Sequence, residues 1–131
     1  MGETTPSENE WLIMELFWDS GKPLTSLEII ENLKGIKDVS GKTIRVMINR
    51  LFQKGILAYT VDERDSRVYH YYPVKTKEEC LSEKSARFVE SYFGGNRAAA
   101  AVALLAPVEL TKEQIKEMQV ILSRSQDKSG V

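Results

Sequence analysis

The stretch from Ser40 to Gly55 reads as one amphipathic helix with both ends marked. Ser40 suits an N-cap, because its hydroxyl can accept from a first-turn amide that has no helical partner. Ile44, Met47, Ile48 and Leu51 recur at spacings of three and four, which places them in one apolar stripe. Gly55 supplies the left-handed residue that commonly closes a helix. No aspartate or glutamate occurs from Ser40 to Val61.

The flanking chain narrows the fold. Ser7 and Glu10 form a capping-box pattern ahead of Trp11, Met14, Leu16, Phe17 and Trp18, and Gly21 ends that helix. Thr25 and Glu28 open a second, shorter helix, with Leu27, Ile30 and Leu33 expected on its inner face and Gly35 after its end. Gly35 to Val39 is then a slightly long turn into the third helix. After Gly55 the pattern changes. Ile56 to Val61 is rich in β-formers, Asp62 to Ser66 is polar and turn-like, and Arg67 to Tyr72 alternates up to Pro73. Three helices followed by a hairpin is the order of a winged helix–turn–helix. The fold class is therefore mainly α with a small β-hairpin wing, assigned to residues 1–74.

Residues 75–131 read as a helical dimerisation domain. One helix runs from Thr76 to Phe93 and breaks at Gly94 and Gly95. An Ala-rich segment, Asn96 to Ala106, is closed by Pro107. Thr111 and Gln114 cap a last helix, and the polar tail from Ser123 is expected to fray. Ala98 to Leu105 is nearly all apolar and carries no charge. A monomer would expose it as an apolar patch, whereas a two-fold interface would bury it. Phe88, Val102, Leu104, Leu105, Ile115, Met118, Ile121 and Leu122 are the expected interface positions. The alternative is that they form the core of a larger monomeric domain.

Opposite the Ile44 stripe, at 100° per residue, lie Lys42, Val46, Asn49, Arg50 and Gln53, with Thr43 and Arg45 at the flanks. This chemistry suits the major groove of DNA. Arginine can pair with guanine O6 and N7, asparagine with adenine N6 and N7, and valine can pack on a thymine methyl. The plainer alternative is a solvated helix face. Arg64 and Arg67 in the hairpin turn would lie along the phosphate backbone, with Asp62, Glu63 and Asp65 opposing them.

Charge supports the local reading. The net charge is −1, but Ser40 to Lys75 holds seven basic residues (Lys42, Arg45, Arg50, Lys54, Arg64, Arg67, Lys75) against three acidic ones. Other functions find little support. One histidine, His70, and one cysteine, Cys80, leave no metal constellation and few routes to acid–base catalysis. No paired-acid site or phosphate-cradling glycine loop is visible. No catalytic residue, metal ligand or cofactor is expected. The longest apolar run has 11 residues, too short for a bilayer, and Met1 to Ser7 lacks a signal-peptide pattern. A cytoplasmic location without membrane insertion is expected. Cys80 reads as a small buried apolar residue rather than a redox sensor.

The sequence resembles the BlaI/MecI penicillinase-repressor family, which includes the CopY copper repressors. The resemblance rests on Ser7, Glu10, Trp11 and Met14, then on Ser40, Gly41, Lys42, Thr43, Ile44, Met47, Arg50, Leu51, Lys54 and Gly55, and on Arg67, Val68, Tyr69, Tyr71 and Pro73. It implies a homodimeric transcriptional repressor acting on double-stranded palindromic operators with TACA/TGTA-type half-sites. Lys42, Thr43, Val46 and Arg50 match the family's groove-facing positions, and the helical wheel adds Arg45 and Asn49. The resemblance also implies control of β-lactam resistance or a related stress response, with a regulatory protease as partner. Two departures bear on induction. The family's Asn–Phe-type cleavage bond would fall near Ala103 and Leu104, where no such dipeptide stands. The paired Cys-x-Cys motifs of the copper repressors are absent from the tail. A different class of function, a winged-helix protein-interaction adaptor without DNA readout, is disfavoured by the charge pattern from Ser40 to Lys54.

Overall fold

The computed structural model describes residues 4–36 and 38–128, the last four of these as backbone. The chain divides into two compact units, one ending at Phe88 and the other starting at Val89.

The first unit opens with α1 (Glu8–Ser20), α2 (Ser26–Leu33) and α3 (Gly41–Gln53). The expected capping boxes form at Ser7 with Glu10 and at Thr25 with Glu28. Gly21 ends α1 in the left-handed region. Ser40 caps α3 by accepting from the Thr43 amide at 3.1 Å. Gly55 follows α3 at φ 78°, a conformation that costs a residue with a Cβ. The turn expected over Gly35 to Val39 includes residue 37, which lies outside the described residues.

Ile13, Met14 and Phe17 of α1, Ile29 and Leu33 of α2, and Ile44, Met47, Ile48 and Leu51 of α3 form one core with Leu24, Ile56 and Leu57. Each such side chain taken fully from water contributes about 1.5–3 kcal/mol. The whole α3 stripe is buried as expected. In α2 the expectation fails at one position: Leu27 is 64% exposed and Ile29 is fully buried. Ile29 and Leu33 are four apart and define the inward direction. Leu27 lies about 140° from the centre of that face. Gly41 permits the close approach of α3 to α2, since a Cβ there would lie 3.2 Å from Ile30 Cδ1.

The wing is an antiparallel pair, β1 (Leu57–Val61) and β2 (Tyr69–Pro73), in the register Tyr59 to Tyr71 and Thr60 to His70. Leu24, between α1 and α2, forms an isolated bridge with Tyr71 through two 2.9 Å backbone hydrogen bonds. This bridge ties the hairpin to the helices, and Tyr71 packs on the core beside it.

α4 (Lys77–Phe93) begins within the first unit. Lys75 Nζ donates to the Thr4 carbonyl and to Glu83, each at about 3 Å. Trp18 Nε1 donates to the Lys75 carbonyl at 3.1 Å. Cys80 is fully buried, and burial pushes its thiol above the usual range.

The second unit contains the end of α4, then α5 (Arg97–Leu105) and α6 (Lys112–Lys128). Gly94 and Gly95 break the chain before α5, which Asn96 caps by accepting from the Ala99 amide. Thr111 and Gln114 exchange the expected capping bonds. The tail expected to fray from Ser123 is helical to Lys128, and residues 129–131 lie outside the described part. Val102, Leu104, Ile121 and Leu122 are each about 60% exposed or more. Phe88, of the first unit, and Leu105 and Ile115 are also exposed, while Met118 is half-buried.

Candidate nucleic-acid interface

Burying Ile44, Met47, Ile48 and Leu51 leaves the opposite side of α3 outside. Lys42, Arg45, Val46, Asn49, Arg50 and Gln53 line one open surface there. Val46 is 46% exposed, an apolar side chain set among cations and amides. None of these residues forms an ion pair among the described residues, so the arginines and Lys42 present uncompensated charge.

Not every expected residue joins this surface. Thr43 is exposed, but its hydroxyl lies 3.0 Å from the Ser40 hydroxyl, so it belongs to the helix cap. Gln53, on the expected face but outside the residues matched to the resemblance, completes the surface at its far end. Lys54, counted by sequence among the local cations, turns inward. Its ammonium lies 2.6 Å from the buried Glu10 carboxylate.

The wing turn holds its charges in local pairs. Asp65 accepts from Arg67 Nε and Nη2, at 3.0 and 3.1 Å, and also from the Arg67 amide. That guanidinium and amide hold the Asp65 carboxyl below the usual carboxylate range. Asp62 lies 2.8 Å from His70 Nε2 and accepts the Arg64 and Asp65 amides. The His70 ring and those two amides hold the Asp62 carboxyl below its usual range as well. Two of the three acids thus serve the turn rather than stand free. Arg64 forms no ion pair among the described residues, and Arg67 forms one. Arg45 and Arg67 also line a second cleft with Thr25, Ser26, Tyr69 and Tyr71, between the start of α2 and the wing. That cleft was invisible to sequence reasoning, because it is made by the Leu24–Tyr71 bridge. The Thr25 cap signal and the two arginines were its legible parts.

Among the described residues, no group of three or more histidine, cysteine, aspartate or glutamate side chains could hold a metal ion. No described helix is long and apolar enough to cross a membrane.

Three helices, a hairpin wing bridged back to Leu24, and a cation-bearing third helix define a winged helix–turn–helix protein. A family model described as "Penicillinase repressor" matches residues 6–124, and the chain belongs to that family of repressors rather than to a family of enzymes. This bears out the resemblance drawn from the sequence. The penicillinase repressor of Staphylococcus aureus is 30% identical over 115 residues, covering 87% of each chain. The methicillin resistance regulatory protein MecI of Staphylococcus aureus strain N315 is 27% identical over 118 residues, covering 90% of this chain and 93% of its own. Among solved structures, that of the DNA binding domain of the repressor BlaI is 26% identical, with a TM-score of 0.49. It covers 60% of this chain and 93% of that domain.

Proposed function

We propose that this protein is a sequence-specific transcriptional repressor that binds double-stranded operator DNA as a homodimer in the cytoplasm. The observation that carries the reading is the exposed face of α3. Lys42, Arg45, Val46, Asn49 and Arg50 share one surface on a helix whose other face is wholly buried. Arg50 and Asn49 have the donors and acceptors for purine edges, and Val46 can meet a thymine methyl. Arg64 and, less strongly, Arg67 would lie on the phosphate backbone and fix register.

The operator is a palindrome with TACA/TGTA-type half-sites, read by one winged helix each. One module makes few base contacts, and two on one duplex roughly sum their binding free energies. Residues 1–74 carry DNA reading and residues 75–131 carry dimerisation. The exposed apolar residues of α5 and α6, with Phe88 on α4, meet their equivalents in a second copy. The regulated genes serve β-lactam resistance or a related stress response. Induction by a regulatory protease would need a bond other than an Asn–Phe pair.

The deciding experiment is fluorescence anisotropy with a labelled palindrome and a scrambled duplex at physiological salt. The expected outcome is nanomolar-range binding to the palindrome, on the order of a thousandfold or more tighter than to the scrambled duplex, and steeply weakened by salt. Equal affinity for both duplexes would overturn the reading.

A further inference from the structure

The buried ion pair between Glu10 and Lys54 lies outside the surface described above, and its geometry is specific. Glu10 is 2% exposed, and its Oε1 accepts from Lys54 Nζ at 2.6 Å and from the Ser7 amide at 3.0 Å. Lys54 Nζ also donates to the Thr5 carbonyl at 3.3 Å. Lys54 is the C-cap residue of α3. One ammonium therefore joins the end of α3 to the first turn of α1 and to the segment before it. Thr5 and Pro6, in that segment, are themselves buried.

The rest of the α3 contact is apolar and non-directional. Ile44, Met47, Ile48 and Leu51 favour burial but specify rotation about the helix axis only loosely. A rotation of about 15° carries an atom ~8 Å from that axis through ~2 Å, well outside the ~0.5 Å spread of hydrogen-bond lengths. A buried, paired charge at the helix end resists such rotation, because turning would leave Glu10 desolvated without its cation.

We infer that Glu10 and Lys54 are positioning residues for DNA readout: their pair sets the rotation and axial register at which α3 presents Lys42, Val46, Asn49 and Arg50. This rests on the DNA-binding reading above, but its structural half can be measured without DNA. Lys54 makes no phosphate contact, since its charge is already matched by Glu10.

The test uses the full chain carrying Lys54→Met, Glu10→Gln, or the double change Glu10→Met with Lys54→Met, which removes both charges and keeps the fold measurable if a single variant unfolds. Residual dipolar couplings of the free protein report the orientation of α3 relative to α1. Binding is measured on the palindrome and the scrambled duplex across a salt series. The expected result is a reoriented α3 and about a tenfold loss in the ratio of palindrome to scrambled affinity. Scrambled-duplex affinity and its salt slope should match the wild type. An α3 orientation identical to wild type, an unchanged affinity ratio, or a smaller salt slope of the kind a lost phosphate contact gives would each overturn the inference. If the wild-type chain itself does not distinguish the two duplexes, the DNA reading falls, and the couplings alone decide the positioning role.

Discussion

Arg50 and Arg64 are both exposed arginines, yet their surroundings set different tasks. Arg50 shares the α3 surface with Asn49 and Val46, where an edge-reading contact is possible. Arg50→Ala should cost about 1–3 kcal/mol on the palindrome, or roughly 5- to 150-fold in affinity, and relax the preference at one base position. A titration series of single-base variants checks this. Arg64 forms no ion pair among the described residues, whereas Asp65 holds Arg67 in a two-pronged pair. Arg64→Ala should therefore weaken palindrome and scrambled duplex alike and lower the salt slope by about 1. Arg67→Ala should do less of both. Salt-dependent binding isotherms for the two variants distinguish these outcomes. The Arg67 pairing could not be read from the sequence. Three acids and two arginines in a short turn admit several pairings, and the turn's backbone selects among them. Lys54 carries the same lesson, because a lysine at the end of a basic helix looks like surface charge until Glu10 is brought against it.

Among the elements, α3 was the most legible, since a full stripe of four apolar residues leaves little freedom in which face is buried. The short α2 was less so. With four apolar residues in eight positions spread around the helix, its inward direction was decided by neighbours, and Ile29 took the place expected for Leu27. The wing depends on its turn. Asp62 caps the turn and pairs with His70, which holds its folded-state value below its ordinary 3.8. A lowered carboxylate stabilises the folded state above its ordinary value, and that contribution is lost as pH falls through the lowered one. Amide exchange in the hairpin should accordingly quicken in acid below about pH 4, relative to the three-helix core. Asp62→Asn should show faster hairpin exchange near neutral pH and a smaller acid step, the part carried by the Asp65–Arg67 pair remaining. Hydrogen-exchange NMR across that range tests both statements. At the start of α3, Ser40→Ala removes the bond to the Thr43 amide and should cost about 1 kcal/mol in chemical denaturation.

For the molecule as a whole, oligomeric state is the decisive property. Val102, Leu104, Ile121 and Leu122 remain exposed in a single chain, and charge placed among them would be buried in the proposed dimer. Leu104→Asp should sediment as a monomer and lose most palindrome affinity, while its winged helix stays folded by circular dichroism. A variant that stays dimeric and binds normally would remove α5 from the interface. The sequence divides the chain at residue 74, whereas the compact units divide after Phe88, within α4. The Lys75 bonds to Thr4 and Glu83, and the Trp18 bond to the Lys75 carbonyl, join the start of α4 to the winged helix.

From local pattern alone the sequence determined the helix caps, the buried stripe of α3 and its outward cations, and the hairpin. These depend on residues within a few positions of one another, where spacing and capping chemistry act directly. Only the tertiary structure decided that Leu24 bridges Tyr71, that Ile29 rather than Leu27 enters the core, and that Lys54 turns inward to Glu10. Each joins residues distant in the chain or depends on which neighbours meet a short helix. The energy of such contacts is set by burial and geometry that no sequence interval encodes.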